Sequence, residues 1–232
     1  MVRAFPVGLV GAVVRRTVTR ATARWLVVLL ALVAAPAIAE PRPVILIMGD
    51  SLSAAYGIEQ EAGWVGLLEA RLDTTAKVIN ASISGETSSG GASRLPELLG
   101  QHEPDIVLLE LGGNDGLRGL PPTQFEANMR RMIEASLAVD AEVVLLGIDI
   151  PPNYGQAYRN AFADVFVRLA DDYDLPLLPF LLEDVALVDG LMQDDGIHPT
   201  TEAQPIILDN VWPVLEPLLE RNGTDIAEQA VE

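Results

Sequence analysis

The sequence predicts an α/β protein in which a mostly parallel, five-stranded sheet carries helices on both faces. Three observations support this. From Pro43 onward, short apolar runs alternate with longer stretches of helical spacing. The runs lack a polar face, as expected of strands covered on both sides. Finally, 232 residues, half of them hydrophobic, suffice for one sizeable core and leave little for a second. Gly and Pro are spread along the chain, which suits a globular domain.

The elements follow in order. Residues 44–48 form an apolar run ended by Gly49, the first strand. A helix follows with Trp64, Leu67, Leu68 and Leu72 on one side. Residues 77–83 make a second strand and the very apolar residues 105–111 a third. Thr123 and Glu126 have capping-box spacing, so a helix is expected from there to Val139. Residues 143–148 give a fourth strand, 156–173 a helix and 175–180 a short fifth strand. A last helix is expected from Thr201 to about Arg221, broken or kinked by Pro205, Pro213 and Pro217.

Residues 1–39 carry Arg3, Arg15, Arg16, Arg20, Arg24 and no acidic residue, then an apolar run over 25–33 and small residues ending Ala37-Ile38-Ala39. That order is the layout of a secretory signal peptide, with cleavage expected before Glu40 and export to the periplasm or medium. The remaining residues, 40–232, form the single domain. The competing reading, an uncleaved anchor, needs ~20 apolar residues, more than the unbroken run offers.

The chain has no cysteine, which excludes disulfides, a thiolate nucleophile and cysteine-based zinc sites. Its net charge is -18; without the five leader arginines, ten basic side chains face 33 acidic ones, a net of -23. Such a surface repels nucleic acid and anionic lipid headgroups, and the simplest account of it is a solvated exterior. Neither a nucleic-acid partner nor membrane insertion of the mature chain is expected, and a monomer is.

In a parallel sheet, functional groups collect where strands end. After the first strand comes Gly49-Asp50-Ser51-Leu52-Ser53, which either raises a serine hydroxyl above the sheet or simply makes a tight turn and cap. After the second comes Ser84-Gly85-Glu86, and after the third Gly112-Gly113-Asn114-Asp115. These are turn formers too, but a glycine lets its N–H approach a substrate, and an Asn carboxamide adds another donor. Near the C-terminal end lies Asp194-Asp195-Gly196-Ile197-His198-Pro199. A separation of three can bring a carboxylate and an imidazole to one side of a turn. The other histidine, His102, sits in a polar, loop-like setting.

Taken together and in this order, the four segments resemble the SGNH (GDSL) hydrolase superfamily over about residues 43–220. Residues 109–120, 151–155 and 192–199 look like the bacterial branch of thioesterase I, protease I or lysophospholipase, and like periplasmic arylesterases. The resemblance implies a three-layer α/β/α, flavodoxin-like sandwich and a serine hydrolase cleaving acyl ester or thioester bonds without metal or organic cofactor. It implies that Ser51 attacks the acyl carbonyl, His198 is its base and Asp195 orients His198. The N–H groups of Ser51 and Gly85 and the side chain of Asn114 would hold the oxyanion. Asp194 is the competing acid, with a spacing of four that departs from the family pattern.

Asp50, Leu117, Ile148 and Ile150 are candidate substrate contacts, the last three as an apolar trough for an acyl chain; core packing is the other reading of the two isoleucines. Asp149 stands where similar chains often carry a basic residue, and if it lined the cleft it would disfavour coenzyme A phosphates. Two further readings remain open: deacetylation of glycans, and a non-catalytic anion site at a helix N-terminus, which has no use for Asp195 and His198.

Overall fold

In the computed structural model, residue 1 and residues 42–229 are described, with side chains through Asn222. The chain divides into Met1–Ala39 and Glu40–Glu232, and the second unit is the one described below. The expected leader and its cleavage position lie outside the described residues, Met1 aside.

Strand β1 (Val44–Gly49) is apolar up to its final glycine because both of its faces are covered. Ile45 and Ile47 belong to one core cluster, Leu46 and Met48 to the other. The same alternation runs through β3 (Ile106–Glu110) and β4 (Glu142–Leu146): Ile106, Leu108, Val144 and Leu146 turn one way, Val107, Leu109, Val143 and Leu145 the other. With β2 (Lys77–Asn80) and β5 (Leu177–Leu178) these strands form a five-stranded sheet of order β2-β1-β3-β4-β5, parallel throughout. The sheet thus has the expected strand number and direction.

One face is covered by α1 (Trp64–Leu72), through Trp64, Leu68 and Leu72, and by the C-terminal helix, through Ile207, Val211, Leu215 and Leu218. The other is covered by α2 (Ser88–His102), α4 (Pro122–Leu137) and α5 (Gln156–Tyr173), which contribute Leu95, Phe125, Met129, Phe162 and Phe166. The short α3 (Gly113–Leu117) starts just beyond β3. Three layers result.

Several expectations need correction. The strand expected over 77–83 ends at Asn80, where the Asn80 side chain accepts from the Ser82 N–H and donates to the Ser53 carbonyl, turning the chain, although the Ala81 and Ile83 N–H groups still reach the Ile47 and Gly49 carbonyls. The fifth strand shrinks to two residues. Helix α4 has no capping box: its N-cap is Pro121, and the Glu126 carboxylate pairs with Arg130 and Arg168 instead. The last helix, α6 (Gln204–Gln229), is continuous after a 3-10 turn, Thr201–Ala203. Pro205, Pro213 and Pro217 all lie on its exposed side, where a carbonyl without a helical partner faces water. Helix α2 escaped the sequence reading, since Ser88-Ser89-Gly90-Gly91 and Pro96 hide it. Gly91 is there for packing: a Cβ would come within 2.4 Å of Leu111 Cδ1.

Candidate active site

The site begins where β1 runs out. Gly49 must be a glycine because a Cβ there would stand 2.8 Å from both Glu110 Oε2 and Ser53 Oγ. The chain then turns sharply, and Asp50 Oδ1 accepts the Leu52 N–H at 3.1 Å. This turn lifts Ser51 to the partly exposed surface while Asp50 and Ser53 stay buried.

Ser51 Oγ lies 2.9 Å from His198 Nε2, and His198 Nδ1 lies 2.7 Å from Asp195 Oδ2. The spacing of three works because Asp195 Oδ1 also accepts the N–H groups of Ile197 and His198, at 2.9 and 3.0 Å, folding the loop around the carboxylate. The hydrogen bond to the His198 ring, joined by those backbone bonds, holds the Asp195 carboxyl down to about 2. Asp195 is therefore an anion at any working pH. Asp194, the competing acid, is exposed and does not bond the ring.

The loop is fastened from outside by Gln193, for which the resemblance of residues 192–199 implied no role. Its N–H donates to the His198 carbonyl, and its Nε2 donates to the carbonyls of Tyr56 and Pro199, each at 2.9 Å. Gly57, at φ +77°, clears the way, since a Cβ would come within 2.5 Å of Gln193 Oε1. Tyr56 in turn lays its ring on that of His198, centroids 4.3 Å apart.

The donor segments reach the same turn. Asn114, in the first turn of α3, donates from Nδ2 to Asp50 Oδ2 at 2.9 Å. The segment before Gly85 is tied to the end of β1 by the bond from Ile83 N–H to the Gly49 carbonyl. Gly85 takes φ +81° in open surroundings, and Arg118 donates to its carbonyl at 3.0 Å. Asp115, fully buried, accepts the Ser88 N–H at 2.8 Å and the Ser88 hydroxyl at 2.5 Å, coupling the Asn114 segment to the start of α2.

Beneath the turn lies Glu110, fully buried. Its Oε2 accepts the Ser53 hydroxyl at 2.7 Å and the Asp50 N–H at 3.1 Å, while Oε1 has no hydrogen-bond partner among the protein atoms. Burial, reinforced by the nearby Asp50, pushes the Glu110 carboxyl well above the ordinary carboxylate range. Burial also pushes Asp50 up to about 6, opposed by the hydrogen bonds from Leu52 and Asn114 that favour its charge. Two acids this close do not share the interior as two anions. Burial holds the proton on Glu110 more strongly than on Asp50, whose charge the Leu52 and Asn114 donors favour.

The candidate substrate contacts fare differently. Leu117 is half-buried, its carbonyl accepting the Tyr154 hydroxyl at 2.6 Å. Ile148 and Ile150 do not form an open trough: they lie past the end of β4, buried in opposite core clusters, Ile150 against Gly116. Asp50 is likewise too buried to meet a substrate freely and instead holds Asn114. Asp149 is ion-paired with Arg159, which cancels its charge. His102 sits in the last turn of α2, not in a loop. Among the described residues, no group of three or more His, Cys, Asp or Glu is placed to hold a metal ion.

A hydroxyl, an imidazole and a carboxylate in line at the end of a parallel strand is the arrangement of serine hydrolases. Residues 47–205 match the GDSL-like lipase/acylhydrolase family, and the chain belongs to that family of ester-hydrolysing enzymes. It is 51% identical over 178 residues to Esterase TesA of Pseudomonas aeruginosa, covering 75% of this chain and 89% of that one. It is 46% identical over 200 residues to thioesterase 1/protease 1/lysophospholipase L1 of Escherichia coli, covering 86% and 96%. Among solved structures, the psychrotrophic esterase EstA of Pseudoalteromonas sp., inhibited by monoethylphosphonate, superposes with a TM-score of 0.73 at 45% identity, over 76% of this chain and 98% of that one.

Proposed function

We propose that the protein is an exported serine esterase or thioesterase that cleaves acyl esters through an acyl-enzyme formed on Ser51. The observation that carries this reading is the unbroken hydrogen-bonded line from Asp195 through His198 to the Ser51 hydroxyl. A serine hydroxyl is a weak nucleophile at neutral pH and needs a base within hydrogen-bond reach, which 2.9 Å provides. His198 takes the Ser51 proton as Oγ attacks the acyl carbon and returns it to the departing oxygen or sulfur. Water then repeats the exchange, releasing the acid and restoring Ser51. Asp195, an anion throughout, fixes the ring tautomer and stabilises the imidazolium.

Charge developing on the carbonyl oxygen is met by the N–H groups of Ser51 and Gly85 and by Asn114. The carboxamide nitrogen carries two hydrogens, and with one committed to Asp50 the second is available to the oxyanion. Removing a side-chain donor of this kind costs about 2.7–4 kcal/mol of transition-state stabilisation. The chain's similarity to an esterase, a thioesterase/lysophospholipase and an arylesterase supports esters as the substrate class. The acyl chain runs past Leu117. Hydrolysis of p-nitrophenyl esters from acetate to palmitate, with Ser51→Ala as control, tests this: medium chains should exceed acetate, and a tenfold preference for acetate would point to glycan deacetylation.

In this reading residues 1–39 are a cleaved leader and 40–232 the enzyme domain, acting as a monomer without nucleic-acid partners in the periplasm or medium. No described helix is long and apolar enough to cross a membrane. N-terminal sequencing of exported protein should start at Glu40, and intact residues 1–39 in a membrane fraction would contradict it.

A further inference from the structure

Any ester that acylates Ser51 must set its departing oxygen within reach of His198 Nε2, because the proton taken from Ser51 leaves through that atom. The groups around the imidazole are therefore the groups around the leaving alcohol. One face of the ring is covered by Tyr56, with centroids 4.3 Å apart and planes tilted by 34°. Tyr56 is nonetheless half exposed, and the neighbouring Ile197 is 41% exposed. Large apolar side chains left in water beside a reactive centre point to an apolar ligand that covers them.

The position of Tyr56 is built, not incidental. Its N–H donates to the Ser51 carbonyl and its own carbonyl accepts from Gln193, which also grips Pro199 beside His198. The ring is thus fixed to both the nucleophile's turn and the histidine loop. The charged side chains that residues 189–198 expose to water are all acidic, Asp189, Asp194 and Asp195. Anionic leaving groups meet repulsion there, whereas a neutral ring meets an aromatic face.

We propose that Tyr56 and Ile197 form the leaving-group subsite of the enzyme, selective for uncharged aromatic or apolar alcohols. The proposal rests on the serine-hydrolase reading above. In the step concerned, the Ser51 Oγ–acyl bond forms, the acyl–oxygen bond of the alcohol breaks, and the Ser51 proton passes through His198 to the departing oxygen.

The test holds the acyl group constant and changes only what leaves. Phenyl butyrate and hexafluoroisopropyl butyrate have leaving groups of similar acidity but only one aromatic ring. The enzyme should favour the phenyl ester in kcat/KM by about tenfold, the order of one aromatic contact. Tyr56→Ala should bring the ratio close to one, and Tyr56→Phe should keep it, since the ring and not the hydroxyl makes the contact. Where alanine unsettles the loop, Tyr56→Leu removes the ring and keeps the bulk.

A Tyr56→Ala enzyme slowed equally on both esters with the ratio intact overturns the proposal, because Tyr56 would then act only through the imidazole. Equal use of the two esters by the unmodified protein overturns it as well. Failure of the underlying reading looks different and overturns both: neither ester is turned over, and ethyl p-nitrophenyl phosphonate leaves Ser51 unlabelled.

Discussion

Replacing Glu110 with glutamine should change the pH dependence of stability while sparing the fold. The carboxyl is fully buried, receives the Ser53 hydroxyl and the Asp50 N–H on one oxygen, and leaves the other without a partner. Glutamine reproduces the protonated acid, because its carbonyl oxygen can keep both accepted bonds while the amide takes the place of Oε1. At pH 5 the exchange should cost about 1–3 kcal/mol, because the amide sets N–H donors where Oε1 has no protein partner. Alanine is another matter, since it orphans two buried donors at about 1–3 kcal/mol each and opens a cavity.

The sign follows from the raised pKa of both acids. Burial holds Glu110 well above the ordinary carboxylate value of 4.5, and Asp50 moves from 3.8 to about 6. An acid with a raised folded-state pKa gives its full contribution below the unfolded value and loses it as pH climbs through the folded one. Asp50 therefore drains stability between 3.8 and about 6 in both proteins. Glu110 drains it from 4.5 upward in the natural protein only. Urea unfolding at pH 5 and pH 8, compared at unchanged slope, reads the difference. The glutamine variant should gain on the natural protein as pH rises. Parallel behaviour of the two proteins, or glutamine as damaging as alanine, would refute the upward shift of the Glu110 carboxyl.

Two further outcomes concern the reactive line itself. Ser51→Ala and His198→Ala should each remove most of the turnover without unfolding the protein, and the double variant should lose little more, because the pair acts as a unit; additive losses in kcat would argue against it. Asp195 is held at about 2 by its hydrogen bond to the His198 ring and by the backbone bonds beside it. The stability that Asp195 contributes is present above 3.8 and disappears only as pH falls through about 2, so Asp195→Asn should be less stable than the natural protein at neutral pH, with the gap closing toward pH 2. A gap in urea midpoint that does not change with pH would contradict that sign.

Much of this was legible in the sequence because the strands are buried on both faces. An apolar run such as 44–48 or 143–146 has no competing explanation once helices flank it. The reactive groups were legible because each follows a strand or shares a turn: Asp195 and His198 are three apart, and Gly49 to Ser53 closes β1. What stayed hidden depends on contacts distant in sequence. Glu110 lies inside an apolar strand, where one acid looks like noise, yet its partners are 57 and 60 residues away. Gln193 reaches back 137 residues to Tyr56, and Asp149 finds Arg159 on another element. Ile148 and Ile150 could be read from the sequence as cleft walls or as core, and the chain past β4 turns them into the two cores. Helix α2 was lost to propensity, since tertiary packing of Gly91 against Leu111 overrides a glycine pair that argues against a helix.

The central claim is that the hydroxyl bonded to His198 is the nucleophile. Incubation with ethyl p-nitrophenyl phosphonate, followed by peptide mass spectrometry, tests it most directly. The account predicts one adduct, on Ser51, formed with release of p-nitrophenol and greatly slowed in the His198→Ala variant. An adduct on the buried Ser53, or full esterase activity in a folded Ser51→Ala protein, would contradict it.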